Sequence, residues 1–261
     1  MARRASFINE TRQNDENPLF VLDAGNSLAG NLISLESKGG VIVEGMNAMG
    51  YDALTLGRME FALGLETLEG IKESADFVLL SANVVEKDSQ DLIFEPYTVL
   101  KRQGITAGIV GLSEADVKAA GETEEKVQVL DPSETAQRYV DELRDQIDVL
   151  IILSHLGFDE DKMLAEKVPG IDIIVGGNTR KLMREPERVG NTLIVQQGYS
   201  GEWIGHLKVD FDAQGNLVDG EIDAVALDDS YPDDADMMEI LEKWKALHPS
   251  PTPRPTNTPA R

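Results

Sequence analysis

Apolar residues along the chain fall into short runs that stop abruptly at small or polar residues, and the clearest pair lies between Asp148 and Arg180. Val149 to Leu153 is apolar and β-branched without alternation, which predicts a strand buried on both faces. It stops at Ser154-His155-Leu156-Gly157. Ile171 to Val175 repeats the pattern and runs into Gly176-Gly177-Asn178-Thr179-Arg180. Between them Phe158 to Val168 has helical spacing, an acidic first turn and a closing Pro169-Gly170. This is a β-α-β unit. In parallel α/β sheets ligands sit at the carboxyl ends of the strands, so His155 and the 178–180 loop form the first candidate site.

The same reading predicts a helix over 2–14, a short buried strand over 19–22, a helix from Gly40 to about Met49 and a strand over 51–56. A helix over 61–74 and a strand over 77–80 follow. Residues 98–111 read as two strands around a glycine turn, a hairpin rather than β-α-β. Asp131-Pro132-Ser133-Glu134 starts an amphipathic helix that feeds the Asp148 strand. Thr192 to Gln196 and Trp203 to Phe211 are expected as antiparallel strands, and 235–247 as a last helix. The acidic clusters Asp159-Glu160-Asp161 and Asp228-Asp229 read as a helix start and a solvated loop rather than as calcium or magnesium sites, and the Pro/Thr-rich run 248–261 as an extended, disordered tail.

A chain of 261 residues can bury a full core and fits one large α/β domain, here 1–230, followed by the helix and tail. The 47 acidic against 24 basic residues leave a net charge of −23, a field that repels nucleic acid and argues against it as a partner. No apolar run is long enough to span a bilayer, and Met1-Ala2-Arg3-Arg4 is not followed by the apolar core of a signal peptide. With no cysteine, disulfides, thiolate metal sites and a thiol nucleophile are excluded.

Several motifs, in order from residue 2 to about 212, carry a family resemblance. They are Ala2-Arg3-Arg4-Ala5-Ser6-Phe7, Leu22-Asp23-Ala24-Gly25-Asn26-Ser27, the run from Met46 through Gly57-Arg58-Met59-Glu60 to Phe61, Ser81-Ala82-Asn83-Val84, Pro96-Tyr97, Leu153 to Gly157, Ile171 to Arg180 and Gln197-Gly198. Together they resemble the metallophosphoesterase (calcineurin-like) domain of the 5′-nucleotidase family. The resemblance implies a four-layer α/β/β/α sandwich with mixed sheets, and a two-metal hydrolysis of phosphate esters. It favours an extracytoplasmic location, as does the tail, whereas the N-terminus carries no export signal.

The ligand positions that the resemblance implies are altered almost throughout. The family's first strand, with its Asp-x-His motif, has no counterpart before Met1. Asn26 stands where the family has a bridging aspartate. Gly-Asn-His-Glu becomes Gly57-Arg58-Met59-Glu60, and Gly-His-x-His becomes Gly177-Asn178-Thr179-Arg180. Of the ligand histidines only His155 remains, and the chain has three histidines in all. The expectation is a domain that has lost two-metal hydrolysis and serves as a binding or structural module, with no cofactor. An alternative is a phosphohydrolase with residual activity dependent on manganese, zinc or magnesium, or one completed by an upstream segment. A third is an anion sensor, with Arg58, Arg180 and the Gly177 backbone as contacts. Against that, the arginines are as readily expected to pair with Glu60 or Asp23, and His155 to be a hydrogen-bonded remnant. No nucleoside-holding second domain is encoded in these residues. The open first-strand slot is a place where a partner protein or a second copy could add a strand.

Overall fold

The computed structural model describes residues 1–117 and 123–249. α1 (Ala2–Asn14) turns Ala2, Ala5 and Ile8 inward, and the chain then reaches β1 (Leu22–Asp23), shorter than the apolar run from Leu19 predicts. α2 (Leu32–Glu36) is capped by the Asn31 side chain, which accepts from the Ser34 N–H, and α3 (Gly40–Met49) leads into β2 (Ala53–Thr55). The single helix expected over 61–74 is two, α4 (Arg58–Phe61) and α5 (Leu65–Ser74). Gly64 between them takes a φ of 89°, which interrupts the helical ladder. With β3 (Val78–Leu80) these elements form a three-stranded parallel sheet in the order β1-β2-β3.

β4 (Val84–Glu86) leaves this sheet, and β5 (Tyr97–Arg102) and β6 (Ile105–Leu112) form the predicted hairpin. α6 (Thr123–Lys126) and β7 (Val127–Val129) follow, and β7 returns to pair with β4. α7 (Pro132–Leu143) begins at Asp131, whose carboxylate accepts from the Ser133 and Glu134 N–H groups. It feeds β8 (Val149–Ser154), α8 (Phe158–Lys167) and β9 (Ile173–Gly176), the unit read from the sequence. β10 (Glu187–Val189) and β11 (Thr192–Gln196) complete a six-stranded sheet of order β10-β11-β9-β8-β6-β5. The antiparallel expectation for 192–196 needs correcting: β11 is parallel to β9 and antiparallel only to the edge strand β10. All five of its residues are buried, as in a strand covered on both faces. β12 (Trp203–Phe211) and β13 (Leu217–Ala226) form a separate antiparallel hairpin, and α9 (Ala235–Leu247) ends the described chain. Most of the Pro/Thr run, residues 250–261, lies outside the described residues.

These elements stack in four layers, α/β/β/α. Ile8, Val43, Met46, Leu68 and Met237 cover the outer face of the small sheet around Leu54 and Leu79. Ala53 and Leu80 meet Ala107, Ile109, Ile151, Leu153 and Ile173 between the sheets. Ala136, Tyr139, Leu143 and Leu164 cover the far face of the large sheet on Leu150, Ile152 and Ile174. Ile151 and Ile152 thus enter different cores, as the two-residue period of a strand requires. The sheets approach closely at Gly111, where a Cβ would lie 2.8 Å from the Leu80 backbone and where the Gly111 carbonyl accepts from the Ala82 N–H. That approach brings the carboxyl ends of both sheets to one edge.

The loop after β9 is fastened from beneath by buried polar groups. Gln196 accepts from Thr179 Oγ1 (2.9 Å) and the Lys181 N–H, and its own amide donates to the Gly177 carbonyl. Beside it Asp161, in the first turn of α8, is fully buried. Its Oδ1 accepts from Ser154 Oγ at 2.5 Å, its Oδ2 has no partner among the described residues, and Gly176 has no room for a Cβ against it. Burial pushes the Asp161 carboxyl up to about 7, the Ser154 hydrogen bond opposing. A carboxyl raised in the folded state stabilises the fold fully below its unfolded value near 4, and that contribution fades as pH rises through about 7. The expected outcome is that Asp161→Asn flattens the fall in unfolding midpoint between pH 5 and 8. The full contribution is on the order of 4 kcal/mol. Equal pH slopes for wild type and variant in calorimetry would refute the assignment.

Candidate functional site

The two sheets present their strand ends side by side, so the segments after β1, β2, β6, β8 and β9 converge. At the centre is Glu60, fully buried in the first turn of α4. Its Oε1 accepts from the N–H groups of Ser27 (2.7 Å) and Leu28 (2.9 Å), and its Oε2 from those of Asn26 (2.8 Å) and Gly57 (3.0 Å). Burial pushes the Glu60 carboxyl up, while these four donors pull it back toward the ionised form. This one side chain ties the loop after β1 to the end of β2. Asn26 adds a second tie, because its Oδ1 accepts from the Met59 N–H at 2.8 Å, and its backbone takes a left-handed φ of 58° to reach it.

His155 follows β8 and is 1% exposed. Its Nδ1 donates to the Ala24 carbonyl at 2.5 Å, which leaves Nε2 buried without a partner among the described residues. The glycines around it are required by closeness. A Cβ on Gly57 would lie 2.6 Å from the imidazole, and one on Gly177 2.6 Å from the Ala24 carbonyl and 2.8 Å from His155 Nδ1. Gly177 therefore packs the loop after β9 onto the histidine. Its N–H donates to the Ser154 carbonyl at 2.8 Å, so the group that the sequence offered to an anion is already engaged.

The other candidate positions lie at the mouth. Arg58 and Arg180 are exposed, and neither pairs with Glu60 or Asp23, contrary to that expectation. Glu60 is filled by backbone donors, and Asp23 accepts from the Gly25 N–H and the Ser27 hydroxyl. Arg180 rests over the Tyr199 ring at 5.6 Å, with a left-handed φ of 59°. Met59 is half-buried, and its thioether offers no donor. Asn178 is exposed, with its amide on Glu114 Oε2 at 2.7 Å.

Glu114 is the residue that sequence reasoning missed. Its other oxygen accepts from the Arg58 N–H at 3.0 Å, so it bridges the ends of β2 and β9 from a loop with no motif of its own. Ser113 and Asn83 were equally silent in their roles. Ser113 Oγ donates to the Leu56 carbonyl at 2.6 Å, and Asn83 exchanges two 2.8 Å hydrogen bonds with the Ser113 backbone, stitching the small sheet to the large one. Asn83 belongs to the Ser81-Ala82-Asn83-Val84 motif, whereas for Ser113 a polar side chain directly after a strand was the available signal.

As a donor set these residues do not fit a two-metal centre. One imidazole nitrogen is bare, both Glu60 oxygens are filled, and Asn26 Oδ1 is taken. Among the described residues no group of three or more His, Asp or Glu is placed to hold a metal ion. Nor is any helix among them long and apolar enough to cross a membrane. The Glu60 clamp predicts that Glu60→Gln, which turns an amide NH2 toward backbone donors, costs about 3 kcal/mol. The checks are a lower unfolding midpoint and faster amide exchange at 26–28. Unchanged exchange there would refute the clamp.

No family model matches the sequence. Bovine (Bos taurus) 5′-nucleotidase is 30% identical over 94% of this chain and 47% of its own length. The solved 5′-nucleotidase precursor of Thermus thermophilus is 32% identical over 94% of this chain and 52% of its own, with a TM-score of 0.86. The sulfate thiohydrolase SoxB of the same organism is 25% identical over 95% of this chain and 46% of its own, with a TM-score of 0.88. The chain spans about half the length of the curated relatives it matches. The four layers, the motif order and these likenesses agree, and the chain belongs to the 5′-nucleotidase family as its N-terminal, calcineurin-like phosphoesterase domain.

Proposed function

We propose that this domain acts as an anion-binding module of 5′-nucleotidase type and does not hydrolyse phosphate esters by a two-metal route. The observation that carries the reading is the donor set around His155: Asn26, Glu60 and Asn178 are hydrogen-bonded elsewhere, Arg58 and Arg180 are exposed cations, and Met59 carries a thioether. Lowering the pKa of an attacking water by paired cations needs several carboxylates and imidazoles converging on one point. What the mouth does offer is positive charge. Arg58 and Arg180 form no ion pair with any described carboxylate, although the chain carries a twofold excess of acidic residues. Guanidinium groups free of carboxylate partners are suited to a phosphate-type oxyanion.

Residual phosphohydrolase activity is the second reading, and one observation favours it: the bare, buried Nε2 of His155 is the kind of atom that a cation satisfies. The two readings separate in one experiment. Elemental analysis after incubation with manganese and zinc, alongside turnover of p-nitrophenyl phosphate, is expected to give less than one metal per chain and no metal-dependent hydrolysis. Two metals per chain with metal-dependent turnover would overturn the proposal and establish the second reading.

The anion role has its own test. Inorganic phosphate in the millimolar range is expected to raise the unfolding midpoint more than chloride at equal ionic strength, and the difference should vanish in Arg58→Gln/Arg180→Gln. An identical response in wild type and the double variant would exclude these arginines as the contacts.

A further inference from the structure

A second concavity lies away from the strand-end site, between α1 and the β12–β13 hairpin. It encloses about 520 Å³ and is lined by Phe7, Arg184, His206, Asp223 and Tyr231, among others. Among its lining residues Phe7, His206 and Tyr231 carry rings that brace one another. Phe7 meets His206 edge-on at 6.2 Å and Tyr231 edge-on at 5.8 Å, so flat ring edges and faces border the space. In a chain with only 5% aromatic residues, such a grouping is a concentrated one.

The cation on this wall is held ready. Arg184 lies over the Trp203 ring at 5.3 Å, and Trp203 itself packs against Gly198, where a Cβ would stand 3.4 Å away. A guanidinium stacked by its face keeps its N–H edge for an acceptor. No described carboxylate forms an ion pair with it. Burial pushes His206 below the ordinary imidazole value, Lys208 acting the same way and Asp15 and Asp223 opposing. At neutral pH the ring is therefore an uncharged wall. Asp223, opposite His206 in the hairpin register, adds a negative charge to the same wall. It disfavours a dianion, as does the overall charge of −23.

We infer that this concavity is a binding site for a small planar aromatic monocarboxylate, with Phe7, His206 and Tyr231 contacting the ring and Arg184 the carboxylate. A ring of this size fills only part of the volume, and an exposed guanidinium contact gives millimolar affinity. None of its lining residues is a contact proposed at the strand-end mouth, so it stands or falls apart from the anion role proposed there.

The test exploits the chain's three histidines, whose ring protons are separately visible by NMR. Titration with benzoate is expected to shift the His206 resonance saturably while leaving His155 unmoved. Benzamide and phenyl phosphate should bind at least about fivefold more weakly. Arg184→Gln, at an exposed position that the fold does not need, should weaken benzoate about fivefold and leave benzamide unchanged. Equal binding of benzoate and benzamide to the wild type, a benzoate affinity unaltered by Arg184→Gln, or no saturable shift of His206 in the millimolar range would each overturn the inference.

Discussion

A carboxylate removed from water must be supplied with donors, and Glu60 meets that requirement with four backbone N–H groups from two strand ends. The rest of the site depends on it. The segment after β1 cannot drift from β2 without leaving a buried charge unpaired. Asn26 is consequently held where its side chain reaches Met59, and Ala24 where its carbonyl meets His155. The imidazole in turn sets the closeness that only glycine tolerates at positions 57 and 177. Ser113 and Asn83 extend the seam to the large sheet, so one continuous polar network joins the two halves of the sandwich where their apolar layer ends.

Below this seam a different arrangement holds the loop after β9. Gln196, buried at the end of β11, satisfies three backbone and hydroxyl groups of residues 177–181, and Asp161 fills the space beneath Gly176. The loop is rigid from its buried side and open on its outer side. Glu114 closes part of that outer side by joining Asn178 to the Arg58 backbone. The strand ends of the two sheets thus meet over a sealed histidine beneath a charged, exposed mouth.

The charge distribution follows the same division. Several basic residues are matched to acids around the sandwich, as in Arg102 with Asp52, Arg144 with Asp172 and Lys243 with Glu44. Arg180, Lys181 and Arg184 instead lie on aromatic rings, those of Tyr199, Phe158 and Trp203. A stacked cation keeps its charge and most of its hydration, whereas an ion pair cancels it. The cations of the segment 180–184 thus form no ion pair with a described carboxylate, despite the acidic balance of the whole chain.

The buried strands β8 and β9, the helix between them and the β5–β6 hairpin were legible in the sequence, because a strand covered on both faces must be apolar throughout and a tight turn must carry glycine. The strand ends themselves were legible for the same reason: they are where apolar runs stop. The direction of β11 was not, since a short apolar run is compatible with parallel or antiparallel neighbours and only the chain's route between sheets selects one. The partners of the polar residues were hidden more deeply. Asp161 in an acidic helix start looks solvated, Glu114 belongs to no pattern, and Arg58 two residues from Glu60 looks paired. The sequence by itself determined which residues could be strands, helices and strand ends, because those depend on local periodicity. Only the tertiary structure decided which polar groups are buried together, because that depends on how closely two sheets approach, and closeness is what commits Glu60, seals His155 and leaves the arginines free.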